Sequence, residues 1–240
     1  MKKRSILIRM AVFVVLFVAV AVTGFRYYAA DYYAARDYKV LTEAVQETED
    51  YIVYGDTAST RGFIFYPGAK VEEGAYAPIL DELAEAGICC VVVKMPYHLA
   101  ILDADAAKQV IQELPEVKQW YIGGHSLGGA MAAGYAAEHE SEFAGLILLA
   151  AYPTDTVQEL PVLSIYGSED TVLNHEKYAE SISLAKHLTE RVIEGGNHAG
   201  FGNYGAQEGD GAAEISDEEQ WQETVDYILN YMQAYSGDAE

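Results

Sequence analysis

Gln119-Trp120-Tyr121-Ile122-Gly123-Gly124-His125-Ser126-Leu127-Gly128-Gly129-Ala130 is the stretch on which the reading of this chain turns. The first four residues are aromatic and aliphatic, of strand type. Residues 127–139 are rich in Ala and Gly and read as a helix. Between the two lies G-x-S-x-G, with Gly124, Ser126 and Gly128. A serine on a sharp strand-to-helix turn is held in a strained backbone conformation with its hydroxyl exposed. Its neighbours are glycine because larger side chains would collide there. Ala130, Ala132, Ala133 and Gly134 let the helix pack closely under the turn, and its N-terminus aims N–H groups and a positive dipole end at the serine. The pentapeptide alone is a moderate signal. The strand and helix on either side make it specific.

The rest of the chain supplies the same alternation. Residues 62–66 form a strand ended by Pro67-Gly68. Residues 75–86 carry Tyr76, Ile79, Leu80 and Leu83 at helical spacing, closed by Gly87. Residues 88–94 are nearly all apolar, as in a strand buried on both faces. Further helices are expected over 101–114, 175–186 and 217–235, and strands over 119–122, 143–151, 161–166 and 187–193. Residues 43–48 and 51–54 are candidate opening strands, although the first reads equally as helix. Such alternation implies an α/β domain with a mainly parallel, doubly wound sheet. Its reactive crevice lies at the carboxyl ends of the strands. Residues 152–161 are too few for a helical lid, so an open site without a large lid is expected, suited to short acyl groups.

Gly-His-Ser-Leu-Gly-Gly resembles the nucleophile elbow of the α/β-hydrolase superfamily. Phe65-Tyr66-Pro67-Gly68-Ala69-Lys70-Val71 and Asn197-His198-Ala199-Gly200-Phe201-Gly202-Asn203-Tyr204-Gly205 resemble a small bacterial, dienelactone-hydrolase-like branch of it. The resemblance spans roughly residues 43–235. It implies an α/β-hydrolase fold and serine chemistry, and says little about substrate.

A serine hydroxyl needs a base within reach and a third group to hold that base. In this fold the chain order is Ser, acid, His. Ser126 is the expected nucleophile. Asp170, in the loop after strand 161–166, matches the family's acid position, with Glu169 as fallback and Asp155 as a weaker alternative. His198, in the loop after the last strand, is the expected base. His125 is expected to point away from the nucleophile, and His139, His175 and His187 to be surface residues. The oxyanion hole should take one N–H from Leu127 and a second from Ala69 or its neighbour Gly68, since Pro67 has none. Lys70, His98, Phe201 and Tyr204 are candidate substrate-binding residues. For Lys70 the alternative is pairing with Glu72 or Glu73, and for the two aromatics it is anchoring of their loop.

The N-terminus carries an address. Lys2, Lys3, Arg4 and Arg9 precede residues 10–25, which carry no charge. That run is slightly short for a spanning helix unless residues 6–8 join it. A basic flank stays in the cytoplasm, which puts the remainder outside. The expected organisation is a cytoplasmic segment (1–9), a transmembrane signal anchor (10–25), a connector (26–42) and a catalytic domain (43–240). The rivals are secretion after cleavage near Ala19-Val20-Ala21 and, less favoured, a buried core helix.

The formal net charge is −22, which repels nucleic acid. Cys89 and Cys90 are adjacent in a strand, so they point to opposite faces and read as core residues, neither bridged nor metal-binding. No cofactor or metal is expected. The expected partners are a small ester or acyl substrate and the membrane, with the catalytic domain acting as a monomer. The expected activity is hydrolysis of a carboxylic ester or lactone through an acyl-enzyme. The alternatives are acyl transfer on the same triad and a non-catalytic, surface-tethered binding module.

Overall fold

The computed structural model describes residues 2–235. The chain divides into two compact units, with the boundary between Tyr32 and Tyr33.

The first unit is a single helix, α1 (Lys2–Ala30). Its span Arg9–Ala30, 22 residues, is long and apolar enough to cross a membrane. Phe13, Leu16 and Phe17 are exposed along it, so this is not a buried core helix. An apolar helix without a protein core to cover it belongs in an apolar medium or is removed.

The second unit is built on eight strands: β1 (Val45–Glu47), β2 (Tyr51–Tyr54), β3 (Arg61–Tyr66), β4 (Cys89–Val93), β5 (Gln119–His125), β6 (Phe143–Leu149), β7 (Val162–Gly167) and β8 (Leu188–Ile193). Their order is β1-β2-β4-β3-β5-β6-β7-β8. The first two are antiparallel to their neighbours and the rest run parallel. The helices are α2 (Ala77–Glu85), α3 (Ala107–Glu113), α4 (Ser126–Glu138), α5 (His175–Ser181) and α6 (Asp217–Ala234).

Side-chain alternation along the strands builds two cores, one on each face. Phe63, Phe65, Cys90 and Val92 pack with α2 and α6, whereas Ile64, Tyr66, Cys89 and Val91 pack with α3 and α4. The two cysteines are thus free, buried and on opposite faces. Burial pushes the Cys89 thiol up to about 11. α6 starts at a capping box between Ser216 and Glu219, and buries Trp221, Val225, Ile228 and Met232.

Several expected elements are shorter than their patterns. The helix expected over 101–114 is α3 alone, preceded by 3-10 turns at Pro96–His98 and Ala100–Leu102. Ile101 and Leu102, which extended the apolar period, are exposed. The strand expected to reach residue 151 stops at Leu149, because Ala150 turns to φ 48°. The helix expected over 175–186 is α5 followed by a 3-10 turn at Ile182–Leu184.

The unit containing the sheet begins ten residues ahead of the boundary expected at residue 43. Tyr33 pairs with Val71 as an isolated parallel bridge, through Tyr33 N–H to Lys70 O (2.7 Å) and Glu72 N–H to Tyr33 O (3.0 Å). The Arg36 N–H donates to Asn203 O (2.8 Å). Asp81, fully buried in α2, accepts from Leu41 N–H (2.5 Å), Thr42 N–H (2.9 Å) and the Tyr38 hydroxyl (3.2 Å). Residues 33–42 therefore form a strap across the loops after β3 and β8.

Candidate active site

β5 runs into α4 without an intervening loop, so the strand-to-helix turn is made by Ser126 itself, at φ 53°. A left-handed non-glycine residue costs about 1–3 kcal/mol, and such strain collects at functional sites. The turn is jammed against the end of β3. A Cβ at Gly124 would strike the Tyr66 carbonyl oxygen, and one at Gly128 would strike those of Tyr66 and Pro67. That close approach accounts for both glycines of the motif. Leu127 follows in the first turn of α4, where a backbone N–H has no intrahelical acceptor.

Asp170 and His198 lie in the loops after β7 and β8, neighbours in the sheet. Both are buried, at 2% and 1% exposure. The Asp170 Oδ2 is 2.8 Å from His198 Nδ1. Its Oδ1 accepts the N–H groups of Val172 (2.9 Å) and Leu173 (2.8 Å). Both carboxylate oxygens are thereby committed and the imidazole is fixed through its Nδ1 side. His198 Nε2 is buried without a hydrogen-bond partner among the described residues. Glu169 is half-buried and takes the Ser168 hydroxyl (3.1 Å), while Asp155 is exposed and accepts from Thr156 N–H.

The His198 loop is held from three sides. Buried Gln220 of α6 pairs with the main chain of Asn197, accepting its N–H (3.0 Å) and donating to its carbonyl (2.8 Å). The Asn197 side chain spans Gly200 N–H and Gly211 O. Asp210 accepts from Ala199 N–H (2.8 Å).

Ser126, Leu127 and His198 open on one cavity of about 250 Å³. Ala130, Ala150, Ala151, Val172 and Leu173 make its wall apolar, and Tyr152 and Asn174 complete it. Among the described residues no Asp, Glu, Lys or Arg lines it. A larger hollow of about 400 Å³ beside α6, lined by Leu163, Arg191, Tyr227 and Tyr231 among others, has neither serine nor histidine in its lining. Among the described residues no group of three or more His, Cys, Asp or Glu is placed to hold a metal ion.

The loop after β3 separates the two candidate donors. The Gly68 N–H donates to the Tyr76 hydroxyl (2.8 Å), whereas the Ala69 N–H has no hydrogen-bond partner among the described residues. Lys70 (φ 60°) donates its N–H to His98 O (2.7 Å), and His98 is itself left-handed at φ 55°. These two residues tie the loops after β3 and β4 together, and neither lines the cavity. Phe201 is fully buried against His125, at 5.8 Å between ring centroids. Tyr204 is buried against Tyr33 at 5.4 Å, with its hydroxyl on Gln207. Neither forms an aromatic wall of the cavity, because the strap and the core consume both rings.

His125 is the residue whose importance sequence reasoning missed. It is 1% exposed, and its ring packs on His198 at 4.5 Å between centroids. Burial, with the His198 imidazole adding to it, holds His125 well below the usual imidazole range. Its sequence offered one signal, its place directly before the serine. His139 and His175 bond main-chain carbonyls (2.8 Å each), and His187 is exposed.

An α/β sheet with a strained serine at the carboxyl end of β5, and an Asp–His pair at the ends of β7 and β8, the last two strands at one edge, defines a hydrolase architecture. The family model of the alpha/beta hydrolase family matches residues 62–222, and the chain belongs to that family. No curated protein matches it in sequence. Solved structures share its fold at low identity. An alpha/beta hydrolase from a lagoon-sediment metagenome of Mar Chica, Morocco, has a TM-score of 0.61 at 14% identity, over 80% of this chain and 99% of that one. Est1E from Butyrivibrio proteoclasticus has 0.57 at 16%, over 79% and 98%. Esterase 2 of Thermogutta terrifontis, phosphoramylated by tabun, has 0.59 at 14%, over 82% and 96%.

Proposed function

We propose that the protein is a serine hydrolase cleaving a small, uncharged carboxylic ester through an acyl-enzyme. The observation that carries this reading is the Asp170–His198 hydrogen bond, which leaves a buried, unpartnered Nε2 at the cavity that Ser126 also lines. In the reaction, Ser126 Oγ attacks the ester carbonyl carbon as His198 Nε2 takes its proton. Asp170 stabilises the imidazolium. The N–H groups of Leu127 and Ala69 hold the oxyanion. Collapse expels the alcohol, which receives the proton from His198. Water, activated by the same base, then hydrolyses the acyl-Ser126 and frees the acid.

The cavity's size and apolar, uncharged wall favour short acyl esters over lipids or anions. The two esterase neighbours point to the same bond class. The dienelactone-hydrolase-like branch, and with it lactone cleavage, is a narrower reading resting on the motifs around Gly68 and His198. For localisation we favour α1 as an uncleaved anchor with the domain outside, on its length and basic flank.

The test is an organophosphonate probe together with p-nitrophenyl esters of two to eight acyl carbons. Wild type should be labelled and turn over the short esters. Ser126→Ala should lose both while keeping its melting temperature. A Ser126→Ala protein that hydrolyses at the wild-type rate rules the reading out.

A further inference from the structure

Gly68, Tyr76, His125 and His198 form one continuous chain of contacts behind the cavity. The Gly68 N–H donates to Tyr76 Oη (2.8 Å), and Tyr76 Oη lies 3.0 Å from His125 Nδ1. Tyr76 is fully buried, its ring wedged against Phe65 at 4.6 Å between centroids. The other side of the His125 ring meets His198 at 4.5 Å, tilted by 50°. A Cβ on Gly68 would sit 2.8 Å from His125 Nδ1, so the turn rests directly on the imidazole.

Tyr76 Oη accepts from Gly68 N–H and shares a second hydrogen bond with His125 Nδ1, in which either atom can donate. Burial favours the neutral form of His125. A neutral neighbour matters because His198 becomes cationic during attack. A second cation at ring contact would oppose that step.

Resting on the serine-hydrolase reading, we propose that Tyr76 and His125 are positioning residues that clamp the turn bearing the Ala69 N–H against the His198 imidazole, so that oxyanion donor and base keep a fixed separation. Neither lines the cavity where the substrate would sit. Tyr76 fixes the turn by taking the N–H next to the one left for the oxyanion. His125 carries that constraint to the base.

Tyr76→Phe removes one hydroxyl and little volume. Deleting an oxyanion donor costs about 100- to 1,000-fold in turnover, and loosening one should cost less, about 10- to 100-fold in kcat. KM should stay within about twofold. The affinity for a trifluoromethyl ketone analogue of the substrate should fall in parallel with kcat/KM, whereas that for the unreactive amide isostere should not. His125→Asn places an amide oxygen near the position of Nδ1 and should keep more kcat than His125→Leu. The double variant Tyr76→Phe/His125→Leu should be little worse than His125→Leu alone. Melting temperatures of all variants report a purely structural loss separately. Wild-type kcat and ketone affinity in Tyr76→Phe would overturn the inference and leave the functional reading standing. A wild-type protein that the phosphonate does not label would overturn both.

Discussion

Asp170→Asn is the sharpest perturbation of the site, because the structure dictates how the new amide must sit. Asp170 Oδ1 accepts two main-chain N–H groups at 2.8 and 2.9 Å. The asparagine oxygen has to stay there, since turning the amide over would set NH₂ against two donors. The NH₂ group then faces His198 Nδ1, where Oδ2 accepted at 2.8 Å. Donor meets nitrogen, so the imidazole must give up its Nδ1 proton and carry it on Nε2 instead. That tautomer cannot accept the proton of Ser126. In a serine-protease triad this change lowers kcat about 10⁴-fold, which corresponds to about 5.4 kcal/mol on the barrier. The folded state exchanges a charge-assisted hydrogen bond for a neutral one, a difference of about 1 kcal/mol, and keeps its packing. The assay is kcat and KM with a short p-nitrophenyl ester, alongside chemical denaturation. A loss below tenfold in Asp170→Asn, or a larger loss in Glu169→Gln, refutes the assignment of the acid.

Three other outcomes are expected. His198→Ala should be nearly as inactive as Ser126→Ala and the double variant little worse than either, since groups acting as a unit do not lose activity additively. Additive losses in kcat would separate the two residues. A protein starting at Tyr33 should fold and turn over as the full chain does. One starting at residue 43 forfeits the hydrogen bonds of the strap to Lys70, Glu72, Asn203 and Asp81, on the order of 7 kcal/mol at about 1 kcal/mol per bond. Equal unfolding midpoints for the two would show that the strap is dispensable. The third outcome concerns acid. The folded state depresses the His125 pKa, so below about pH 6.5 the unfolded chain binds a proton there that the native state does not. Stability should fall with pH by about 1.4 kcal/mol per unit from this group. His125→Leu should flatten that limb in urea titrations between pH 7.5 and 5.5, and an unchanged limb would locate the acid sensitivity elsewhere.

The sequence by itself determined the parts of this protein whose causes are local. The elbow is local in that a strand, two glycines, a serine and a helix of small residues are contiguous, whereas the atoms that a Cβ at Gly124 or Gly128 would strike belong to Tyr66 and Pro67, brought there by the sheet. The opposite-facing cysteines follow from the two-residue period of a strand, whereas the expectation of Ser126, Asp170 and His198 in that order rested on the resemblance to the family. The apolar helix at the N-terminus is legible from composition alone. What only the tertiary structure decided depends on contacts between residues far apart in the chain. Periodicity overextended the helix at 101–114 because exposed Ile101 and Leu102 mimic a buried face. Phe201 and Tyr204 read as candidate pocket walls until packing buried them against His125 and Tyr33. Whether Glu169 or Asp170 meets His198 depends on which side chain the turn after β7 points inward. The strap on Asp81, Gln220 on the His198 loop and Tyr76 between Gly68 and His125 leave no pattern in sequence. Each is a single polar side chain, placed by the fold where a distant main-chain or ring atom needs a hydrogen-bond partner.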